Sequence, residues 1–235
     1  MHTALELVAQ ALDLFIERLL RSNDVARGVH FSFAQKNRKM LVCVRHGEST
    51  ENEILHTTAN PNGIVLHGAD AALTALGQQQ AQVTAMALSA ELVSPVVVWT
   101  SELQRTIDTA EPLVHQLRAQ GKEVTVQHLG ELNEKKERVR GKRIAEPLVD
   151  FVERVRPVAR RVLADWPEQL VIVGHSVFIS VLTSLLLRGP DASWDDLDYR
   201  NPNCAVTRFA KRGAIALVTQ ADISHLPVEL QTGVD

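Results

Sequence analysis

Arg45-His46-Gly47-Glu48-Ser49-Thr50-Glu51-Asn52 sets an imidazole beside a guanidinium directly after the apolar run Met40 to Val44. A neutral imidazole is a competent nucleophile toward phosphorus near pH 7, and a guanidinium clamps phosphoryl oxygens with a bidentate fork. Taken alone, that tripeptide reads more simply as a polar exit from a strand. Two further segments change the balance. Trp99-Thr100-Ser101 runs into Glu102-Leu103-Gln104-Arg105, which places Arg105 near the start of a helix, where unpaired N–H groups attract anions. Gly174-His175-Ser176 follows a third apolar run and leads into another helix. One histidine at such a turn is ordinarily a structural hydrogen-bonder, but two of them, each ending a core strand, point to a shared phosphoryl-binding site.

Such a site needs strands that end together. Met40 to Val44, Val96 to Trp99, Val124 to Val126 and Leu170 to Val173 are short, continuously apolar and β-rich. They are separated by helical stretches at Leu73 to Ala90, Gln104 to Ala119, Pro147 to Trp166 and Ser176 to Arg188, with Pro112 and Pro157 expected to kink or split two of these. Strands without polar alternation suit a buried, mainly parallel sheet covered by helices, an α/β fold whose ligands sit at the carboxyl ends of the strands. Ala205 to Phe209 and Ala214 to Val218 flank Lys211, Arg212 and Gly213, and read as a hairpin extending the sheet at one edge. Ahead of all this, residues 3 to 21 carry Leu5, Val8, Leu12, Phe15, Ile16 and Leu19 at helical spacing. The expected division is therefore 1–39, an amphipathic helix and connector, and 40–235, the catalytic domain; the helix is expected to pack back on the domain, with a homodimer contact as the alternative.

Bulk composition narrows the function classes. The 235 residues are 45% hydrophobic, enough for one full core, and the formal net charge of -3 lacks the basic surplus of a nucleic-acid binder. No apolar run reaches the length of a membrane span, so no membrane partner is expected. Cys43 and Cys204 are far apart within apolar runs and read as buried free thiols in a reducing cytoplasm.

Taken together, Arg45 to Thr50 with Asn52, the stretch Val98 to Glu111, and Val173-Gly174-His175-Ser176 resemble the histidine phosphatase superfamily, also called the phosphoglycerate mutase-like family. Asp70 to Ala81 resembles the family's approach to its first helix, so the likeness covers about residues 40–220. Within the superfamily the motifs look closest to the fructose-2,6-bisphosphatase and cofactor-dependent phosphoglycerate mutase branch. The resemblance implies a three-layer α/β/α fold and a phosphatase, without cofactor or metal, acting on a small phosphorylated substrate. By the same resemblance His46 takes up the phosphoryl group, Arg45, Arg105 and His175 surround it, and Asn52 donates a hydrogen bond to it. The family's acid is a glutamate of the third motif; Glu131 and Glu134 both fit, and the Leu132-Asn133-Glu134 match favours Glu134.

Two stretches depart from the pattern. Between Asn52 and Asp70 the usual Gly-Arg pair is missing, and His56, Asn60, Asn62 and His67 stand there instead. After Glu134 the expected capping segment is short and basic, with Lys135, Lys136, Arg138, Arg140, Lys142 and Arg143, a second anion site or a plain solvated loop. A short cap favours hydrolysis over a mutase, which must keep water from the phosphohistidine. A mutase-type phosphotransferase and a weakly active phosphate-binding regulatory module remain the alternatives, with a metallohydrolase disfavoured by the lack of a ligand cluster.

Overall fold

Valine-, leucine- and isoleucine-rich runs do form the sheet. A computed structural model describes residues 39–56, 70–135, 146–192, 201–212 and 214–233. Its strands are β1 (Lys39–Arg45), β2 (Val96–Thr100), β3 (Val124–His128), β4 (Gln169–Gly174), β5 (Val206–Arg212) and β6 (Ala214–Asp222). Between them run α1 (Thr50–His56), α2 (Ala75–Glu91), α3 (Gln104–Ala119), α4 (Leu148–Ala164) and α5 (Ser176–Arg188). The amphipathic stretch 3 to 21, its connector, most of the Asn52–Asp70 departure and the basic run after Lys135 lie outside the described residues.

The sheet order is β3-β2-β4-β1-β5-β6, with β3, β2, β4 and β1 parallel and the β5–β6 hairpin added antiparallel along β1. The alternation of β1 shows why the strands read as continuously apolar. Leu41 and Cys43 enter a core with Phe151, Val155, Phe178 and Leu182 from α4 and α5. Val42 and Val44 enter the opposite core with Ala85 and Leu88 of α2 and Leu113 and Leu117 of α3. Both faces are buried, so neither needs polar residues. This is the expected three-layer α/β/α arrangement.

Two corrections concern helices. Pro112 and Pro157 split neither α3 nor α4, both of which run through them. Pro157 is exposed and Pro112 half-buried, so water can reach the carbonyls whose partners a proline removes. The short α1 was not foreseen; its seven residues are too few to show a period.

Candidate active site

β1 and β4 are neighbours in register, with Arg45 opposite Gly174, so His46 and His175 leave the sheet side by side. Their rings sit 5.2 Å apart, edge to face at 64°. β2, on the other side of β4, delivers Ser101 and then Arg105 in the first turn of α3. The three sequence-distant motifs therefore converge at one sheet edge. His46, His175 and Arg105 are all buried there.

The nucleophile candidate has a defined tautomer. His46 Nδ1 lies 2.7 Å from the Gly47 carbonyl, which can only accept, so Nδ1 carries the proton and Nε2 the lone pair. Arg105 Nε donates to that Nε2 at 3.3 Å, which puts a guanidinium donor beside the reactive nitrogen. Burial first, then the Arg45 and Arg105 charges, holds the His46 pKa well below 6.5, so the imidazole is neutral and nucleophilic at neutral pH. Arg45, pushed down to about 10 chiefly by burial, remains charged. Its Nη1 donates to the Asn201 carbonyl at 2.6 Å, while its buried Nε has no partner among the described residues.

His175 is oriented by a hydroxyl pair. Thr106 Oγ1 is 2.8 Å from the Leu103 carbonyl, which consumes its proton, so Ser101 Oγ donates to Thr106 at 2.8 Å. Ser101 then accepts from His175 Nε2 at 2.9 Å. That accounting leaves Nδ1 as the free position, and this buried atom has no partner among the described residues. Desolvation, then electrostatic interaction with His46, Arg105, Arg45 and Arg154, lowers the His175 pKa well below 6.5. A phosphate dianion would reverse the sign of that local field and favour a proton on Nδ1.

Backbone contacts hold the turn after His46 with unusual closeness. His46 N donates to Gly174 O at 3.0 Å, and its carbonyl accepts from Cys204 N and Asn203 Nδ2 at 3.3 and 3.2 Å. Gly47 N donates to Thr109 Oγ1 and Glu48 N to Gln80 Oε1. A Cβ on Gly47 would lie 2.5 Å from Gly77 O, and one on Gly77 2.0 Å from Glu48 O, so both glycines are required by the approach of α2 to the turn. Gln80 Nε2 in turn donates to Leu230 O and Thr232 Oγ1, and Thr232 Oγ1 reaches Asn203 Oδ1.

The glutamate candidates separate clearly. Glu134 Oε2 accepts from Val177 N, in the first turn of α5, at 3.2 Å, and Oε1 from Lys135 N at 2.9 Å. Its carboxyl interacts electrostatically with Arg45 and Arg105, and burial outweighs them to raise its pKa above the ordinary carboxylate value. Glu131 is exposed in a 3-10 turn, Gly130–Leu132. Asn52 has a structural part beside the one its position suggested. Its Oδ1 accepts from Ser49 N and Oγ while Ser49 Oγ accepts from Asn52 N, a reciprocal cap that starts α1, and Asn203 Nδ2 also reaches that oxygen. Only the amide nitrogen of Asn52 is left to meet a phosphate. Likewise the start of α3 already holds an anion, because Gln104 N donates to the Asp70 carboxylate at 2.8 Å.

Asn201, Asn203, Gln80, Ser101 and Thr109 were not singled out from the sequence. Their partners lie tens of residues away, and the one local cue was the hydroxyl spacing within Thr100-Ser101 and Thr106.

A sequence profile of the histidine phosphatase superfamily (branch 1) matches residues 41–136 and 120–220; the chain belongs to that superfamily. Among curated proteins it is 28% identical over 210 residues to 6-phosphofructo-2-kinase/fructose-2,6-bisphosphatase 1 of Mus musculus, covering 82% of this chain and 41% of the relative. The Rattus norvegicus counterpart gives the same figures, 28% identity with 82% and 41% covered. The chain thus spans under half the length of these relatives. Solved structures share its fold. Mycobacterial hydrolase 1 superposes with a TM-score of 0.59 at 22% identity, over 79% of this chain and 99% of that one. A mycobacterial glucosyl-3-phosphoglycerate phosphatase gives 0.57 at 23%, over 79% and 99%. A phosphoserine phosphatase mutant of Entamoeba histolytica, bound to phosphoserine, gives 0.56 at 18%, over 80% and 99%.

Proposed function

We propose that the chain hydrolyses phosphate monoesters of small molecules through a phosphohistidine on His46. The observation that carries this reading is the His46 tautomer: a neutral ring with Nδ1–H tied to Gly47 and the Nε2 lone pair turned to Arg105. Phosphatase names among the relatives and structural neighbours support the same class.

In the first step Nε2 attacks phosphorus and the bond from phosphorus to the ester oxygen breaks. Glu134 gives its proton to the departing alkoxide, a role suited to a carboxyl whose pKa is raised. Arg45, Arg105 and a His175 protonated on Nδ1 balance charge on the equatorial oxygens, and Asn52 is placed to add its amide. In the second step water attacks phosphorus, its proton passes to the Glu134 carboxylate, the nitrogen–phosphorus bond breaks and His46 regains its lone pair. Positive charge comes from side chains, so the chemistry needs no metal.

The test is hydrolysis of p-nitrophenyl phosphate and of an alkyl phosphate in excess chelator, with wild type, His46→Ala, Glu134→Gln and Glu131→Gln. Loss on the order of 10⁴-fold or more in His46→Ala is expected. Glu134→Gln should slow the alkyl ester more than the aryl one, whose leaving group needs little protonation, and Glu131→Gln should leave that preference alone. Full activity in His46→Ala, or activity abolished by chelator, overturns the reading.

A further inference from the structure

Arg154 stands in the second turn of α4, outside every motif of the superfamily noted in the sequence. Its Nη1 donates to the Glu131 and Asn133 carbonyls at 3.0 and 2.9 Å. Nη2 donates to the Glu134 carbonyl at 3.3 Å and to Glu146 Oε2 at 3.0 Å, and Nε to Glu146 Oε1 at 3.1 Å. Each of the five N–H donors of the guanidinium thus has an acceptor. Three acceptors are main-chain oxygens of one short segment, Glu131 to Glu134, whose only regular structure is a single 3-10 turn.

The segment is also held by Leu132, fully buried in the core, and by further polar contacts. Asn133 Oδ1 accepts from Glu102 N at 3.0 Å, and the Glu134 carboxyl accepts from Lys135 N and Val177 N. The charges that oppose burial at the Glu134 carboxyl are those of Arg45 and Arg105. Arg154 bonds the backbone beneath the acid, through main-chain oxygens rather than the carboxyl. Glu146 holds the fork in its plane with a two-point contact, and the Phe151 ring lies under it at 4.8 Å.

We infer that Arg154 is a positioning residue for general acid catalysis, with Glu146 fixing its guanidinium so that its contacts to the Glu131, Asn133 and Glu134 carbonyls hold the segment at the distance from which the Glu134 carboxyl reaches the leaving oxygen. The assignment rests on Glu134 as the acid. It differs from a purely structural role in what it affects. Misplacing an acid slows departure of a poor leaving group and spares a good one, whereas a general loss of fold slows both. Lysine cannot substitute, because one ammonium cannot meet three carbonyls and a carboxylate in one plane.

The experiment measures the ratio of kcat on an alkyl phosphate to kcat on p-nitrophenyl phosphate in wild type, Arg154→Met, Arg154→Lys, Glu146→Gln, Glu134→Gln and the Arg154→Met/Glu134→Gln double variant. A well-placed acid contributes about 10²–10⁴-fold, so Arg154→Met should lower the ratio by roughly tenfold or more. Arg154→Lys should fall nearly as far, Glu146→Gln less, and the double variant no further than Glu134→Gln alone. Should Arg154→Met not fold, Arg154→Lys and Glu146→Gln read the same ratio. An unchanged ratio in the Arg154 variants beside a lowered one in Glu134→Gln overturns the assignment only. An unchanged ratio in Glu134→Gln removes the acid reading and the assignment with it.

Discussion

The turn that carries His46 and the segment that carries Glu134 both approach Arg45 and Arg105 yet are held in different ways. Around His46 every contact is buried, and most are backbone to backbone or to fully enclosed side chains such as Asn203 and Gln80. Around Glu134 the segment is anchored in the core by Leu132, while Glu131 beside it is exposed and Asn133 half-buried, and its other holds are polar contacts from Glu102 N, Val177 N and Arg154. In the proposed mechanism the nucleophile needs a fixed approach to phosphorus, whatever alcohol is attached. The acid must meet a leaving oxygen whose position changes with the substrate. Enclosed backbone contacts for the shared step, and one core side chain with mainly polar contacts for the variable one, is what the contrast teaches.

The contrast breaks most visibly at Gly77. Gly77→Ala forces a Cβ to within 2.0 Å of Glu48 O, and should cost about 3 kcal/mol or more together with most activity, read by urea unfolding and turnover. An unshifted midpoint would show that the His46 turn is as yielding as the acid segment. Ser101→Ala is expected to weaken phosphate binding about tenfold by calorimetry, since His175 loses the acceptor that fixes its Nε2–H and turns Nδ1 to the ligand. Unchanged affinity would detach His175 from phosphate recognition.

The smallest effect is on pH dependence. Burial and the two arginines hold His46 and His175 well below 6.5, and burial holds His225 down at about 4. Below pH 6.5 the unfolded chain therefore binds more protons than the folded one, and stability should fall as pH falls from about 7 to about 5. Glu134, raised, works in the other sense, adding stability below its ordinary pKa of 4.5 that is lost as pH rises through the folded value. Unfolding free energies should thus decline across that window in wild type and less steeply in His46→Asn. A flat wild-type profile would mean that the histidines are solvated rather than enclosed.

Much of this was legible in the sequence, for a physical reason. His46, Arg105 and His175 each follow a strand, and strands announce themselves through local composition, so a shared sheet edge could be inferred. Pairing order was less accessible, but the parallel core and the edge hairpin followed from apolar runs and from Lys211 to Gly213. The supports were hidden. Asn203 meets His46, Gln80 meets Glu48 and Arg154 meets Glu134 only through the fold, and nothing in an asparagine, glutamine or arginine on a helix or loop marks its partner. The capping use of Asn52 was hidden because it depends on an α1 too short to be seen.

Cys204 sits directly behind the nucleophile with a left-handed backbone (φ 54), its N–H on the His46 carbonyl and its thiol sealed from solvent. Burial pushes both this thiol and that of Cys43 up to about 12, so roughly one molecule in 10⁵ carries a thiolate at neutral pH. Phosphatases that attack with sulfur are silenced by peroxide and alkylating agents. In the proposed mechanism the attacking atom is a ring nitrogen and the buried sulfurs take no part, so oxidants that stop sulfur-based dephosphorylation should leave this chemistry running until the chain itself unfolds.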